Sequence, residues 1–239
     1  MNLVERERNR AEDFLNAFNT IEAELKRRTG LASHDSLRQA AHRYREESRG
    51  WQRDFEAVMA FADLRNVIVH ERYKRFAYLS VPSEEVLDEI HSVRDRLLEP
   101  RTAFEEFRRS EVTTVEVSTS LEELLAKVAD NDFTQFPVYD HDAFVGLITS
   151  NGVTRWLAQR VQQLPLVEFD SHTVGELLER EEERPNWTFV PRALPVEEVA
   201  YAFQENPELE AALVTQSGRQ DEALLGIATR SDIASLSRE

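Results

Sequence analysis

Cysteine is absent from the 239 residues, which excludes disulfide scaffolds, thiolate zinc sites, cysteine nucleophiles and dithiol redox chemistry together. Glycine is scarce: seven residues scattered singly leave no glycine-rich loop to cradle phosphates, so no phosphotransfer motif of that kind is present. No apolar run approaches the roughly 20 residues of a spanning helix, and the N-terminal MNLVERERNR alternates charges where a signal peptide would need an apolar stretch. The expectation is a cytoplasmic protein with no membrane partner. Positive charge is short as well, with 29 Lys+Arg against 45 Asp+Glu and a formal net charge of −16.

That deficit is not evenly spread. Residues 1–109 carry 20 Lys+Arg against 21 Asp+Glu, while residues 110–239 carry 9 against 24. The second half would repel a polyanion outside a specific pocket, so DNA is not an expected partner. The first half holds short basic runs, Lys26-Arg27-Arg28, Arg72 with Lys74-Arg75, and Arg108-Arg109. Each is either a phosphate contact or a solvated helix face laced with Glu/Arg pairs. With 41% hydrophobic and 9% aromatic residues there is apolar surface enough for folded cores, and the length suits two domains.

The fold class expected is α+β: an all-α four-helix bundle over residues 1–109, then a pair of α/β units over 110–239. Sustained 3.6-residue periodicity predicts helices from Leu3 to Arg28, Ser33 to about Ser48, Trp51 to Leu79, and Ser83 to Arg109 with a break near Glu99-Pro100. Ser83 followed by Glu84 and Glu85 reads as an N-cap with an acidic first turn. After Ser110 short β-rich runs, Val112–Val117, Phe136–Tyr139 and Phe144–Thr149, alternate with short helical patterns.

The second half also repeats itself. Phe144-Val145-Gly146-Leu147-Ile148-Thr149 matches Leu224-Leu225-Gly226-Ile227-Ala228-Thr229, and Ser120-Leu121-Glu122-Glu123-Leu124 matches Pro195-Val196-Glu197-Glu198-Val199. Two β-α-β-β-α units, about 110–165 and 166–239, would each be too small to bury a sheet face alone and would pack as a pseudo-symmetric pair with a cleft between. The order of a strand, a helix opening with Ser/Pro-hydrophobic-Glu-Glu, a strand, a turn and Gly-hydrophobic-hydrophobic-Thr, found twice, resembles a tandem pair of CBS domains. Phe136-Pro137-Val138-Tyr139-Asp140 resembles that family's hydrophobic-Pro-Val-x-Asp strand, although the second copy has Ala212-Leu213-Val214 without the proline.

The resemblance implies a regulatory adenine nucleotide, AMP, ADP or ATP, as ligand. The family's Thr/Ser-x-x-Asp is fitted by Thr229-Arg230-Ser231-Asp232, with the carboxylate on the ribose hydroxyls and Thr229 and Arg230 toward phosphate. The same four residues also make a capping box, in which Asp232 returns a bond to the Thr229 N–H. The first copy reads Thr149-Ser150-Asn151-Gly152 and lacks the carboxylate, so one nucleotide per chain is expected. The resemblance further implies that Thr113, Phe133 and Thr134 of the first copy and Ile227 of the second line the pocket.

In the helical half one segment stands out. At about 100° per residue, with Phe55 as zero, Phe55, Met59, Ala62, Asn66, Val69 and Tyr73 fall within roughly 40° of one line, and Phe61, Leu64 and Ile68 form a second stripe. A helix apolar on two sides in so small a bundle points to a partner chain along it, hence a homodimer with Arg65, Asn66 and His70 near the seam. Arg65-Asn66-Val67-Ile68-Val69-His70 resembles the Arg-polar-x3-His motif of the HEPN family, helical bundles that often act as metal-independent ribonucleases. The resemblance implies that His70 takes the 2′-hydroxyl proton of RNA, Arg65 steadies the phosphate and Asn66 positions His70. No cofactor is required for that chemistry. The expected function is an adenine-nucleotide-regulated ribonuclease acting as a homodimer. The alternative is a non-catalytic nucleotide sensor whose helical half serves dimerisation or partner docking. The histidines outside the motif show no metal spacing, and no metal site is expected.

Overall fold

The computed structural model describes residues 3–70, 72–74, 77–78, 80–109, 112–131, 134–163, 172–181 and 186–236. The chain is mixed α+β and divides into two compact units, Met1–Arg101 and Thr102–Glu239.

The first unit is built from helices α1 (Leu3–Thr29), α2 (Leu37–Glu47), α3 (Gln52–His70) and α4 (Glu84–Leu98), with strands β1 (Arg72–Lys74) and β2 (Ala77–Tyr78) as an antiparallel pair between the last two. Helix α2 starts at Ser36 rather than Ser33 because Ser36 and Gln39 complete a capping box. Ser83 caps α4 as its spacing predicts, accepting from the Val86 N–H. Helix α3 stops at His70 rather than Leu79. The aromatic Tyr73 and Tyr78 favour extended backbone, and Tyr73 lies on β1 and not on the helical stripe.

Helix α1 packs against α2, α3 and α4, and α3 packs against α2 and α4. Phe14, Phe18, Ile21 and Leu25 of α1, Phe55, Val58, Phe61, Ala62 and Ile68 of α3, and Ile90, Val93 and Leu97 of α4 share one core. Polar links cross the same seams. The Arg96 guanidinium grips buried Asp54 through Nε at 3.2 Å and Nη2 at 2.7 Å. Arg28 reaches the Tyr44 hydroxyl on α2 and the Leu97 carbonyl near the end of α4. A cation among the last carbonyls of a helix is favourably placed against its dipole.

The second unit is a structural repeat. In chain order it comprises α5 (Ala103–Phe107), β3 (Val115–Glu116), α6 (Leu121–Asn131), β4 (Gln135–Asp140), β5 (Ala143–Thr149) and α7 (Ser150–Gln163). Then follow α8 (Val174–Glu181), β6 (Trp187–Pro191), α9 (Val196–Glu205), β7 (Ala211–Thr215), β8 (Gly226–Thr229) and α10 (Arg230–Leu236). Each half holds a three-stranded sheet, ordered β3-β4-β5 and β6-β7-β8, with the first pair parallel and the second antiparallel. Gln135 opposite Thr149 and Ala211 opposite Thr229 occupy the same register in the two copies.

The two copies exchange their leading helices. Helix α5 packs on β7, β8 and α9 of the second sheet, and α8 packs on β3, β5 and α7 of the first. The attachments correspond bond for bond: Ala103 N–H donates to the Leu194 carbonyl and Val174 N–H to the Thr119 carbonyl, while Thr102 pairs with Pro195 and Thr173 with Ser120. The division of the chain therefore falls at Arg101–Thr102, ahead of the composition change at Ser110. Residues 103–107, read from periodicity as the end of the fourth helix, form the first helix of the second unit. Phe107, 1% exposed, belongs to the core of Val190, Val199 and Phe203. Between the sheets, Phe144 and Leu147 meet Ala211 and Leu213, with Trp187 and Phe189 edge-on to the Phe144 ring.

Candidate functional site

Asp232 lies one turn into α10, at the end of β8. Its Oδ2 accepts from both the N–H and the hydroxyl of Thr229 at 2.8 Å, and the Thr229 hydroxyl oxygen in turn accepts from the Asp232 N–H at 3.4 Å. The capping box is thus formed, and the Thr229 N–H and hydroxyl serve the cap rather than facing outward. The other oxygen, Oδ1, accepts from Arg109 Nη2 at 2.9 Å. Both side chains keep access to water, at 40% exposure for Arg109 and 27% for Asp232. The arrangement is a carboxylate with one oxygen committed to local structure and the other held by an exchangeable cation.

Arg230, expected toward phosphate, points elsewhere. Its Nη2 donates to the Asn206 carbonyl at 2.9 Å and its guanidinium sits over the Phe203 ring, so it closes the end of α9. The cation beside Asp232 is Arg109, which the sequence shows in a basic run with nothing to link it to Asp232. The signal was present in Arg108-Arg109, and the approach that gives it meaning is tertiary. Arg108 forms an antiparallel bridge with Gly226 on β8, where a Cβ would come 2.3 Å from the Phe107 carbonyl oxygen. Only glycine lets this segment lie against the strand and deliver Arg109 to Asp232.

Ile227 is half-buried on β8 opposite Leu213, packed with the cluster between the sheets. Thr113 is half-buried just ahead of β3. Thr134 is exposed and its carbonyl accepts from the Ser150 N–H, which ties it to the start of α7 in its own copy. Phe133 lies outside the described residues. At α7 the Gly152 N–H donates to the Thr149 hydroxyl at 3.0 Å, so the first copy keeps the turn of Thr-x-x-Asp without its carboxylate.

In the first unit, the two stripes assigned to α3 are the margins of one arc. Measured from Phe55 at about 100° per residue, Ile68, Phe61, Asp54, Val58, Ala62 and Phe55 run continuously over about 140°, and all are buried within the chain's own bundle. The burial argument for a partner chain along α3 therefore falls, because α1, α2 and α4 already cover both margins. Asn66 is exposed and not in the centre of an apolar stripe, while Arg65 is half-buried near the middle of the core-facing arc. His70 closes α3, and its side chain lies outside the described set. By helical spacing alone, positions 65 and 70 lie about 140° apart around α3.

Groups of three or more His, Asp or Glu able to hold a metal are absent among the described residues. No described helix is long and apolar enough to cross a membrane.

Residues 104–159, from α5 into α7, match the family model of the CBS domain. Three similar solved structures are those of CBSX2 in complex with AMP, of the CBS domain pair of protein MJ0100 with 5′-methylthioadenosine and S-adenosyl-L-methionine, and of the CBS domain of a bacterial CNNM/CorC family Mg2+ transporter with ATP. The first is 20% identical over 57% of this chain and 96% of that one, with a TM-score of 0.43. The second is 21% identical over 58% and 97%, with a TM-score of 0.43. The third is 21% identical over 61% and 92%, with a TM-score of 0.42. No curated protein matches the chain.

Proposed function

Starting from a CBS domain over residues 104–159, we propose that the second unit binds one adenine nucleotide at Asp232 and that the nucleotide regulates the helical unit. The observation that carries this is the Asp232 carboxylate itself. It is partly open to water, braced through Oδ2 and, among the described residues, bound through Oδ1 by a surface cation, so it is ready to accept a ribose diol. The first copy has Gly152 at the corresponding place and offers no such acceptor. Calorimetric titration of AMP, ADP and ATP into wild type, Asp232→Ala and Asp232→Asn tests the proposal. The asparagine variant keeps an acceptor for the Thr229 N–H and separates the cap from ligand binding. Binding by the wild type that weakens at least about tenfold in both variants supports it, by the worth of hydrogen bonds to a charged group. Equal binding by all three reduces Asp232 to a cap.

For the output, the motif on α3 favours a second reading, in which the helical unit is a metal-independent ribonuclease. Asn66 is exposed on the last turns of α3, on nearly the same face as His70 by helical spacing, with His70 at the helix terminus. Because Arg65 and His70 diverge on one helix, the cleaving site assembles from two chains, and the active form is a homodimer. Coupling then requires the nucleotide to bind two dimer arrangements with different affinity. Fluorescent RNA cleaved in EDTA by wild type, and by neither Arg65→Ala nor His70→Ala, is the expected result. Inactivity of the wild type with and without each nucleotide assigns the helical unit to dimerisation or partner docking instead.

A further inference from the structure

Asp232 has one oxygen to offer and Arg109 holds it. Oδ2 already accepts two bonds from Thr229, whereas Oδ1 accepts from Arg109 Nη2 at 2.9 Å. The guanidinium comes from a fixed backbone: Arg108 is bridged to Gly226, and Arg109 Nη1 makes a long 3.4 Å bond to the Arg108 carbonyl. A ribose diol arriving at Oδ1 must therefore displace the guanidinium or share the oxygen with it.

The outcome depends on what else the ligand carries. A neutral nucleoside exchanges a charge-assisted bond for hydroxyl bonds and leaves the guanidinium without its partner. A nucleotide brings a phosphate across one sugar ring from the diol, within the sweep of an arginine side chain, and gives the displaced guanidinium a bidentate acceptor. We propose that Arg109 is a specificity-determining residue: by occupying Asp232 in the unliganded protein it penalises unphosphorylated adenosyl ligands and admits phosphorylated ones. This rests on Asp232 being the ribose acceptor, and it adds the class of ligand that the site selects.

The experiment titrates adenosine and AMP into the 239-residue wild type, Arg109→Gln, Arg109→Lys and Asp232→Asn by calorimetry. Wild type is expected to prefer AMP. In Arg109→Gln, adenosine binds about threefold tighter, the scale of releasing a partly exposed ion pair. AMP binds about tenfold weaker for want of its phosphate partner, so the preference collapses. Arg109→Lys keeps part of the preference, because it retains the charge without the planar fork. An AMP-to-adenosine ratio unchanged in Arg109→Gln, with both ligands weakened in Asp232→Asn, overturns the role of Arg109 and leaves the site standing. Failure of both ligands to bind any of the four proteins overturns the site and the role together.

Discussion

At Gly226 a Cβ would lie 2.3 Å from the Phe107 carbonyl oxygen, whereas at the matching Gly146 it would meet the Leu178 Cδ1 at 2.6 Å. A backbone atom in a paired segment cannot retreat and the tip of a leucine can. Gly226→Ala is therefore expected to cost about 2 kcal/mol or more and Gly146→Ala about 1 kcal/mol or less, read from urea unfolding midpoints. Glu24 makes a second prediction at this scale. Hydrogen bonds from Arg27 and then Arg28 hold its carboxyl at about 2, against an ordinary 4.5. A carboxyl depressed in the folded state contributes stability that is full above pH about 4.5 and is lost as the pH falls toward 2. The gap in unfolding midpoint between wild type and Glu24→Gln should be open at neutral pH and closed near pH 2; a gap independent of pH would contradict the assignment. At this scale the sequence made Asp232 legible, because the duplication singled out one carboxylate in two otherwise matching turns. It misdirected Arg230, since adjacency to Asp232 in the chain said nothing of the Asn206 carbonyl. It left Arg109 as one basic residue among many, since its partner lies 123 residues away.

Helix α5 shows what patterning sees and what it misses at the scale of elements. Its periodicity was readable, its allegiance was not, because the elements that α5 packs against, β7, β8 and α9, come much later in the chain. Phe107→Ala should cost about 3–4 kcal/mol. Amide exchange should quicken in β7 and β8 and leave α1 to α4 unchanged; loss of protection in the helical unit instead would return α5 to the first bundle. Helix α3 failed in the opposite way. Its apolar positions were found, but a broad buried arc was read as two stripes because Asp54 and Arg65 interrupt it. Asp54 is admitted there by the Arg96 guanidinium, a pairing with no local trace in the sequence. The extended run Phe144–Thr149 falls within β5, and the matching Gly-hydrophobic-hydrophobic-Thr of the second copy forms β8.

For the whole molecule, the two units differ in charge as well as architecture, and the excess of negative charge resides in the CBS-containing one. Self-repulsion screened by salt should make its unfolding temperature rise between low and moderate ionic strength. A fall, or no change, would mean that the acidic side chains are locally compensated. The claim that most needs testing is that one copy of the repeat carries the ligand and the other does not. Equilibrium titration of AMP into the 239-residue chain at known active concentration measures this directly. One equivalent bound per chain, abolished by Asp232→Ala, is the predicted result. Two equivalents per chain, or one that survives Asp232→Ala, would contradict it.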